Sequence, residues 1–334
     1  YMNSKYKNKI YLQEFQKWIN TDGYIGYVGC SFTWGQGLWN YDKDNLDTPT
    51  YQEYIFQNIE PTKWTQETRK KLRYPNLLSK HFGADSISKE GNGGSDIQSL
   101  DILNDVLNSR SQSPEMKGKW PLEKMKLLVF QHSAVSRCSS VFKFKGKQYI
   151  IELQGDRKLG NNDLDGIWEL NHKEPWTPTL QQKYLMHANP EDKDSGRWAS
   201  KDIFFDYLID KGIGIDEYWY EHCRYWLREV QRILGMYNDL GIPIVCWHWE
   251  RDLIEVIHEE EFEWIRSVTM PLICEGKSFP FYMEAAHTHK NLYIRDDEEA
   301  NRYPTDSDEH PSKWGHEVIT SSIIDNLRQR GITI

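Results

Sequence analysis

Long apolar runs are missing from this 334-residue chain: no stretch approaches 18 residues, so no segment is a candidate membrane-spanning helix. The first residues also lack a basic-then-apolar leader pattern. The expectation is a soluble protein of a reducing cytoplasm, with a virion also compatible. Cysteine is scarce. Cys30, Cys138, Cys223, Cys246 and Cys274 are odd in number, scattered and without metal-ligand spacing, which argues against a disulfide framework and a zinc site. Positive charge is in deficit, with 41 Lys and Arg against 50 Asp and Glu, a net charge of −9. The charges are mixed along the chain, so the basic footprint that nucleic acid requires is absent. Internal repeats and low-complexity tracts are absent too. Aromatic residues, by contrast, are plentiful: fourteen Trp and nineteen Tyr serve equally for stacking on sugar faces and for ordinary core packing.

Apolar patterning alternates strand and helix. A helix is expected over 10–20, then an apolar strand over 24–29 and a polar excursion over 39–63. Thr65 to Phe82 reads as one helix, Ala84 to Ser88 as a second strand, and 91–94 as a glycine turn. Ser95 or Asp96 caps a helix with Ile97, Leu100, Leu103 and Leu107 on one face, and Met125 to Phe130 is the third strand. Crossovers of this length demand parallel strands covered by helices. Residues 141–144 and 148–153 alternate like a hairpin turning at Lys145-Gly146. The stretch 154–200 has no clear period, and 138–215 reads as an inserted cap or rim. A long helix follows, with Trp219, Cys223, Trp226, Val230, Ile233 and Tyr237 on one stripe. Ile242 to Trp247 is the fourth strand, and Trp314 to Gln329 is the closing helix.

Two local patterns carry chemistry. The first strand runs into Gly29-Cys30-Ser31-Phe32-Thr33, a serine among small residues, as a strand-to-helix turn presenting a nucleophile requires. Near the other end, Asp306-Ser307-Asp308-Glu309-His310-Pro311-Ser312 brings carboxylates and an imidazole together before the last helix. Serine, imidazole and carboxylate are the parts of a Ser-His-Asp site.

Gly29-Cys30-Ser31-Phe32-Thr33 resembles the first block of the SGNH hydrolases, the GDSL-like esterases and lipases. Asp308-Glu309-His310-Pro311-Ser312 with Gly315-His316 resembles their last block. Asn92-Gly93-Gly94-Ser95 matches the second block, and Tyr74-Pro75-Asn76-Leu77-Leu78 through Gly83 is similar to a run in phage-encoded and bacterial members. The matches frame about 24–330, with the long middle uncovered. Two departures stand out. The family's usual spacing would put the aspartate at Ser307, so the role falls to Asp308, which we favour, or to Asp306. The asparagine-bearing third block is also absent after the third strand, where Ser133 stands instead. A literal Gly160-Asn161-Asn162-Asp163 lies in the insertion, making Asn162 the rival.

The resemblance implies Ser31 as nucleophile, His310 as general base and Asp308 as its orienter. The oxyanion donors are then the backbone N–H groups of Ser31 and Gly94, with Ser133 as the third. Arg137 is a candidate substrate-binding residue, set against the usual surface ion pair. His132 and His248 read as rim residues. His287, His289 and His316 form no defensible metal set, so neither metal nor cofactor is expected. The expected fold is a single α/β domain over 1–334, a flavodoxin-like three-layer sandwich with a parallel sheet of about five strands, helices on both faces and the inserted rim. The expected function is a serine esterase that deacylates a small-molecule or polysaccharide ester, with no nucleic-acid or membrane partner. The alternatives are a virion-associated SGNH-fold module with weak or no catalysis, and an acyltransferase using the same nucleophile.

Overall fold

The computed structural model describes residues 23–35, 38–41, 63–90, 96–108, 122–133, 140–153, 164–170, 197–200, 202–251, 253–296 and 310–334. The architecture is three-layer α/β, a largely parallel core sheet flanked by helices with further strands forming a side sheet. The core sheet comprises β1 (Tyr24–Gly29), β2 (Asp85–Glu90), β3 (Met125–His132) and β8 (Ile244–His248), in the order β2-β1-β3-β8. All three pairings are parallel. The chain therefore steps from β1 outward to β2, then back across to β3. The strand order reverses between β1 and β3, and in an open parallel sheet the crevice at such a reversal, at the carboxyl ends of the strands, is where ligands bind.

The period of two in these strands sorts their side chains into two cores. Tyr24, Val28, Leu128, Phe130, Ile244 and Cys246 face one side, where Leu100, Leu103 and Val106 of α4 (Asp96–Leu107) and the stripe Cys223, Trp226, Val230, Ile233 of α6 (Ile215–Asp239) cover them. Ile25, Tyr27, Leu127, Val129, Val245 and Trp247 face the other side. There they meet Tyr74, Leu78 and Phe82 of α3 (Tyr74–Phe82) and Ile319, Ile323 and Leu327 of α9 (Lys313–Gln329). Burial on both faces explains why β1, β3 and β8 read as largely continuous apolar runs.

The side sheet is antiparallel, in the order β4 (Ser140–Phe144), β5 (Lys147–Leu153), β6 (Leu164–Leu170), β7 (Arg197–Ala199). Its first hairpin is the one expected at 141–153, turning through Lys145 and Gly146 with φ of 48° and 77°, the doubly positive pair that matches the twist of a two-residue hairpin. Phe142, Phe144, Tyr149 and Ile151 join the same buried cluster as α4 and α6, together with Phe204 and Leu208 of α5 (Asp202–Lys211). Within the span read as an insertion, these side chains thus share the core of the parallel sheet. The helix expected over 65–82 is two, α2 (Lys63–Leu72) and α3: Arg73 is extended at ψ 146°, and Pro75, which has no N–H to give the Lys71 carbonyl and whose ring would crowd that carbonyl in a continuous helix, sits instead in the first turn of α3. The helix expected over 10–20 lies outside the described residues. Among those residues no helix is long and apolar enough to cross a membrane.

Candidate active site

β1 ends at Gly29, Cys30 turns, and Ser31 opens the four-residue helix α1 (Ser31–Trp34) at the carboxyl edge of the sheet beside the strand-order reversal. The turn is tightly packed. A Cβ at Gly29 would overlap Thr33 Oγ1 and come within 2.5 Å of Gln131 Oε1, so only glycine passes here. Gln131 of β3 reaches across: its Oε1 accepts from Cys30 N–H at 3.1 Å, Thr33 N–H at 3.2 Å and Thr33 Oγ1–H at 2.6 Å, and its Nε2 lies 2.9 Å from Cys30 Sγ. Thr33 Oγ1 in turn accepts from the Tyr74 hydroxyl at 2.9 Å.

The C-terminal motif explains itself residue by residue. Ser312 is the N-cap of α9, its Oγ accepting from Gly315 N–H at 3.1 Å. Gly315 is required because a Cβ there would collide with the Tyr282 hydroxyl and sit 2.9 Å from the Leu292 carbonyl. His316 is buried, its ring stacked on Tyr74 at 6.0 Å and its Nδ1 accepting Tyr74 N–H at 3.1 Å, which puts the imidazole proton on Nε2. His310 is half-buried just ahead of this cap. Its carbonyl accepts from Ile294 N–H at 3.1 Å, and Pro311 forms an antiparallel bridge with Tyr293. The His310 ring lies 5.2 Å from the ring of Phe32, the residue after Ser31, and Phe32 also packs edge-on against Trp249 at 4.2 Å. The two motifs from opposite ends of the chain thus meet at Phe32.

Burial, then Arg73 and His310, push the His316 imidazole down to about 3. Below its unfolded value near 6.5 the unfolded chain takes up a proton that the folded chain refuses. The stability it contributes is therefore present above about pH 6.5 and is lost as pH falls toward 3. Asp101 runs the other way, raised to about 6 by burial and Asp105, so it favours the folded state increasingly as pH falls from 6. His316→Asn, which keeps an oxygen for Tyr74 N–H, isolates the histidine. Chemical unfolding from pH 7.5 to 4 should show a shallower acid loss in the variant, by on the order of a few kcal/mol at the acid end, and equal slopes would contradict this.

Ser133, directly after β3, is buried. Its N–H and Oγ–H both donate to Asp96 Oδ1, at 2.7 and 3.0 Å, while Asp96 Oδ2 lies 3.2 Å from His132 Nδ1. The His132 ring stacks on His248 at 4.4 Å and 13°. Both histidines are buried rather than on a rim, because β3 and β8 run in register to their last residues, pairing His132 with His248. Burial, and His132 beside it, hold His248 well below the ordinary imidazole range, so it is neutral. The network ties the first residue of α4 to the end of β3.

Of the residues singled out from sequence, His310 lies with its ring beside that of Phe32, the residue after Ser31, and Ser133 follows β3 at the carboxyl edge of the sheet. Gly94, Arg137, Asn162, Asp306 and Asp308 lie outside the described residues. Gln131 and Asp96 were not singled out as site residues, although a glutamine closing the apolar run Leu127 to Phe130 is itself a signal, since a buried amide needs partners. Cys30, Cys223, Cys246 and Cys274 are buried, and no disulfide joins them. Among the described residues no three His, Cys, Asp or Glu side chains are grouped to hold a metal ion. A scan against protein-family models and a search of curated proteins both return no match to this chain.

Proposed function

We propose that the chain is a serine esterase of the SGNH type that deacylates a carbohydrate ester through an acyl-enzyme on Ser31. The observation that carries this reading is the meeting of the Ser31 turn with His310 at Phe32, on the carboxyl edge of the strand-order reversal. In the proposed mechanism His310 takes the Ser31 proton as Oγ attacks the ester carbonyl, Asp308 holds the imidazole tautomer, and the N–H groups of Ser31 and Gly94 receive the oxyanion. His310 then returns the proton to the leaving alcohol, and water repeats the cycle on the acyl-enzyme. A flavodoxin-like sheet fits this reading. Thr269 forms a parallel bridge to Cys246 on the free side of β8, at the edge where a fifth strand would add. Mass spectrometry after fluorophosphonate treatment tests the proposal: one adduct on Ser31 is expected, and an adduct on another serine refutes it.

One observation favours the second reading, an SGNH-fold module with weak catalysis. The single hydroxyl proton of Ser133 is spent on Asp96, so in the free protein this residue has none to offer an oxyanion. Ser133→Ala should accordingly cost stability, by about 1–3 kcal/mol for a carboxylate left short of a donor, while ester turnover changes by less than about tenfold. A fall in kcat of a hundredfold or more at unchanged KM would return Ser133 to the oxyanion set. If Asn162→Ala were instead the crippling change, the insertion would supply the third donor.

A further inference from the structure

Gln131 has no part in the chemistry proposed above, yet it is fully buried near the end of a strand whose preceding four residues are all apolar. Burying a primary amide costs roughly 1–3 kcal/mol unless it is hydrogen-bonded, so what the amide holds indicates what it does. Its oxygen takes three donors, from Cys30 N–H, Thr33 N–H and the Thr33 hydroxyl. These flank position 31 on both sides.

The first N–H groups of a helix lack partners within it, and the N-cap side chain normally accepts from the third helical residue. For α1 the N-cap is Cys30, whose thiol is a poor acceptor, and the third residue is Thr33. Gln131 thus does the work of an N-cap from the neighbouring strand. A helix of four residues has too little packed length to set its own direction. Its first residue is aimed by whatever fastens the turn, here the side chain of a central strand. Tyr74 backs this up from the other side: with the Thr33 proton committed to Gln131, the Tyr74 hydroxyl donates to Thr33 Oγ1, and Tyr74 N–H is itself held by His316 of α9.

We infer that Gln131 is a positioning residue for the nucleophile, capping the Ser31 turn in trans so that residue 31 keeps one orientation relative to His310; this rests on Ser31 being the nucleophile. Gln131→Glu retains an oxygen for all three donors whether ionised or protonated. Gln131→Met retains the length and removes the acceptor. Thr33→Val is the milder companion, deleting the hydroxyl's bonds to Gln131 and Tyr74 while leaving both N–H bonds to Gln131 in place.

The experiment measures, on the full chain, turnover of p-nitrophenyl acetate and the rate of fluorophosphonate labelling at Ser31, alongside melting temperature. For Gln131→Met both rates should fall at least about tenfold with KM within about twofold, since the loss is of alignment and not of substrate binding. Gln131→Glu should recover to within about threefold of wild type. Thr33→Val should lie between them and decides the matter if Gln131→Met does not fold. Unchanged labelling rates in a folded Gln131→Met and in Thr33→Val overturn the inference, as does a Glu variant as impaired as the Met variant. Labelling of the wild type at a serine other than Ser31 removes the proposed function and this inference together. Labelling at Ser31 with Gln131→Met unimpaired removes this inference alone.

Discussion

Ser31→Ala is expected to lower ester turnover by about 10⁴-fold or more, leaving only the rate supplied by substrate binding and the oxyanion donors. The loss should appear in kcat and kcat/KM alike, because the nucleophile has no substitute within an acyl-enzyme mechanism. The fold should survive. The hydrogen bonds that fasten the turn run from Cys30 and Thr33 to Gln131, and the close approach is made by Gly29, so alanine at 31 replaces none of these anchors. A change of about 0.5 kcal/mol in stability is the expectation for such a site. Turnover of p-nitrophenyl acetate and a denaturant titration on the same preparation separate the two effects. Retained turnover in a folded variant would show that the ester is cleaved elsewhere.

Asp308→Asn should be nearly as damaging, costing about 10⁴-fold in kcat, because an amide in the carboxylate's place favours the wrong imidazole tautomer. The backbone around His310 is held by hydrogen bonds from other elements. Its own carbonyl is held by Ile294 N–H, and the following Ser312 is held by its N–H to the Leu292 carbonyl at 2.7 Å and its Oγ–H to the Asn291 carbonyl at 2.7 Å. The backbone at 310 therefore keeps its place in the variant while the tautomer of the imidazole changes. Asp306→Asn should shift kcat by less than about threefold. Comparing the two turnover numbers assigns the carboxylate, and a reversed ranking would transfer the role to Asp306.

Features whose physics is local are legible in the sequence. The apolar run of β1 and the Trp219-to-Tyr237 stripe of α6 are spelled out by periodicity, and the Lys145-Gly146 hairpin by its turn residue. The bend at Arg73 was written there too, in Pro75, but the apolar spacing on either side hides it. The hairpin of β9 (Leu272–Cys274) and β10 (Lys277–Phe279) escapes notice because its strands are three residues long, and its turn is Glu275-Gly276 rather than an Asn-Gly or Asp-Gly pair. Long-range polar pairing is the least legible. Asp96 finds Ser133 and His132 across 37 and 36 residues, and Gln131 finds Cys30 across 101. Only the register of parallel strands brings them together, and no local pattern encodes it. His132 and His248 show the consequence: from sequence they sit at strand ends, whereas in the folded chain their strands pair to the last residue and bury both rings.

The central claim is that Ser31 is the nucleophile and His310 its base, and a crystal structure of the protein after reaction with a serine-directed phosphonate tests it most directly. The account predicts phosphorus bonded to Ser31 Oγ, His310 Nε2 within hydrogen-bond reach of that oxygen or of the leaving-group position, and the phosphoryl oxygen facing the N–H groups of Ser31 and Gly94. An adduct on any other residue, or one on Ser31 with the His310 ring turned away and no donor at the phosphoryl oxygen, would contradict it.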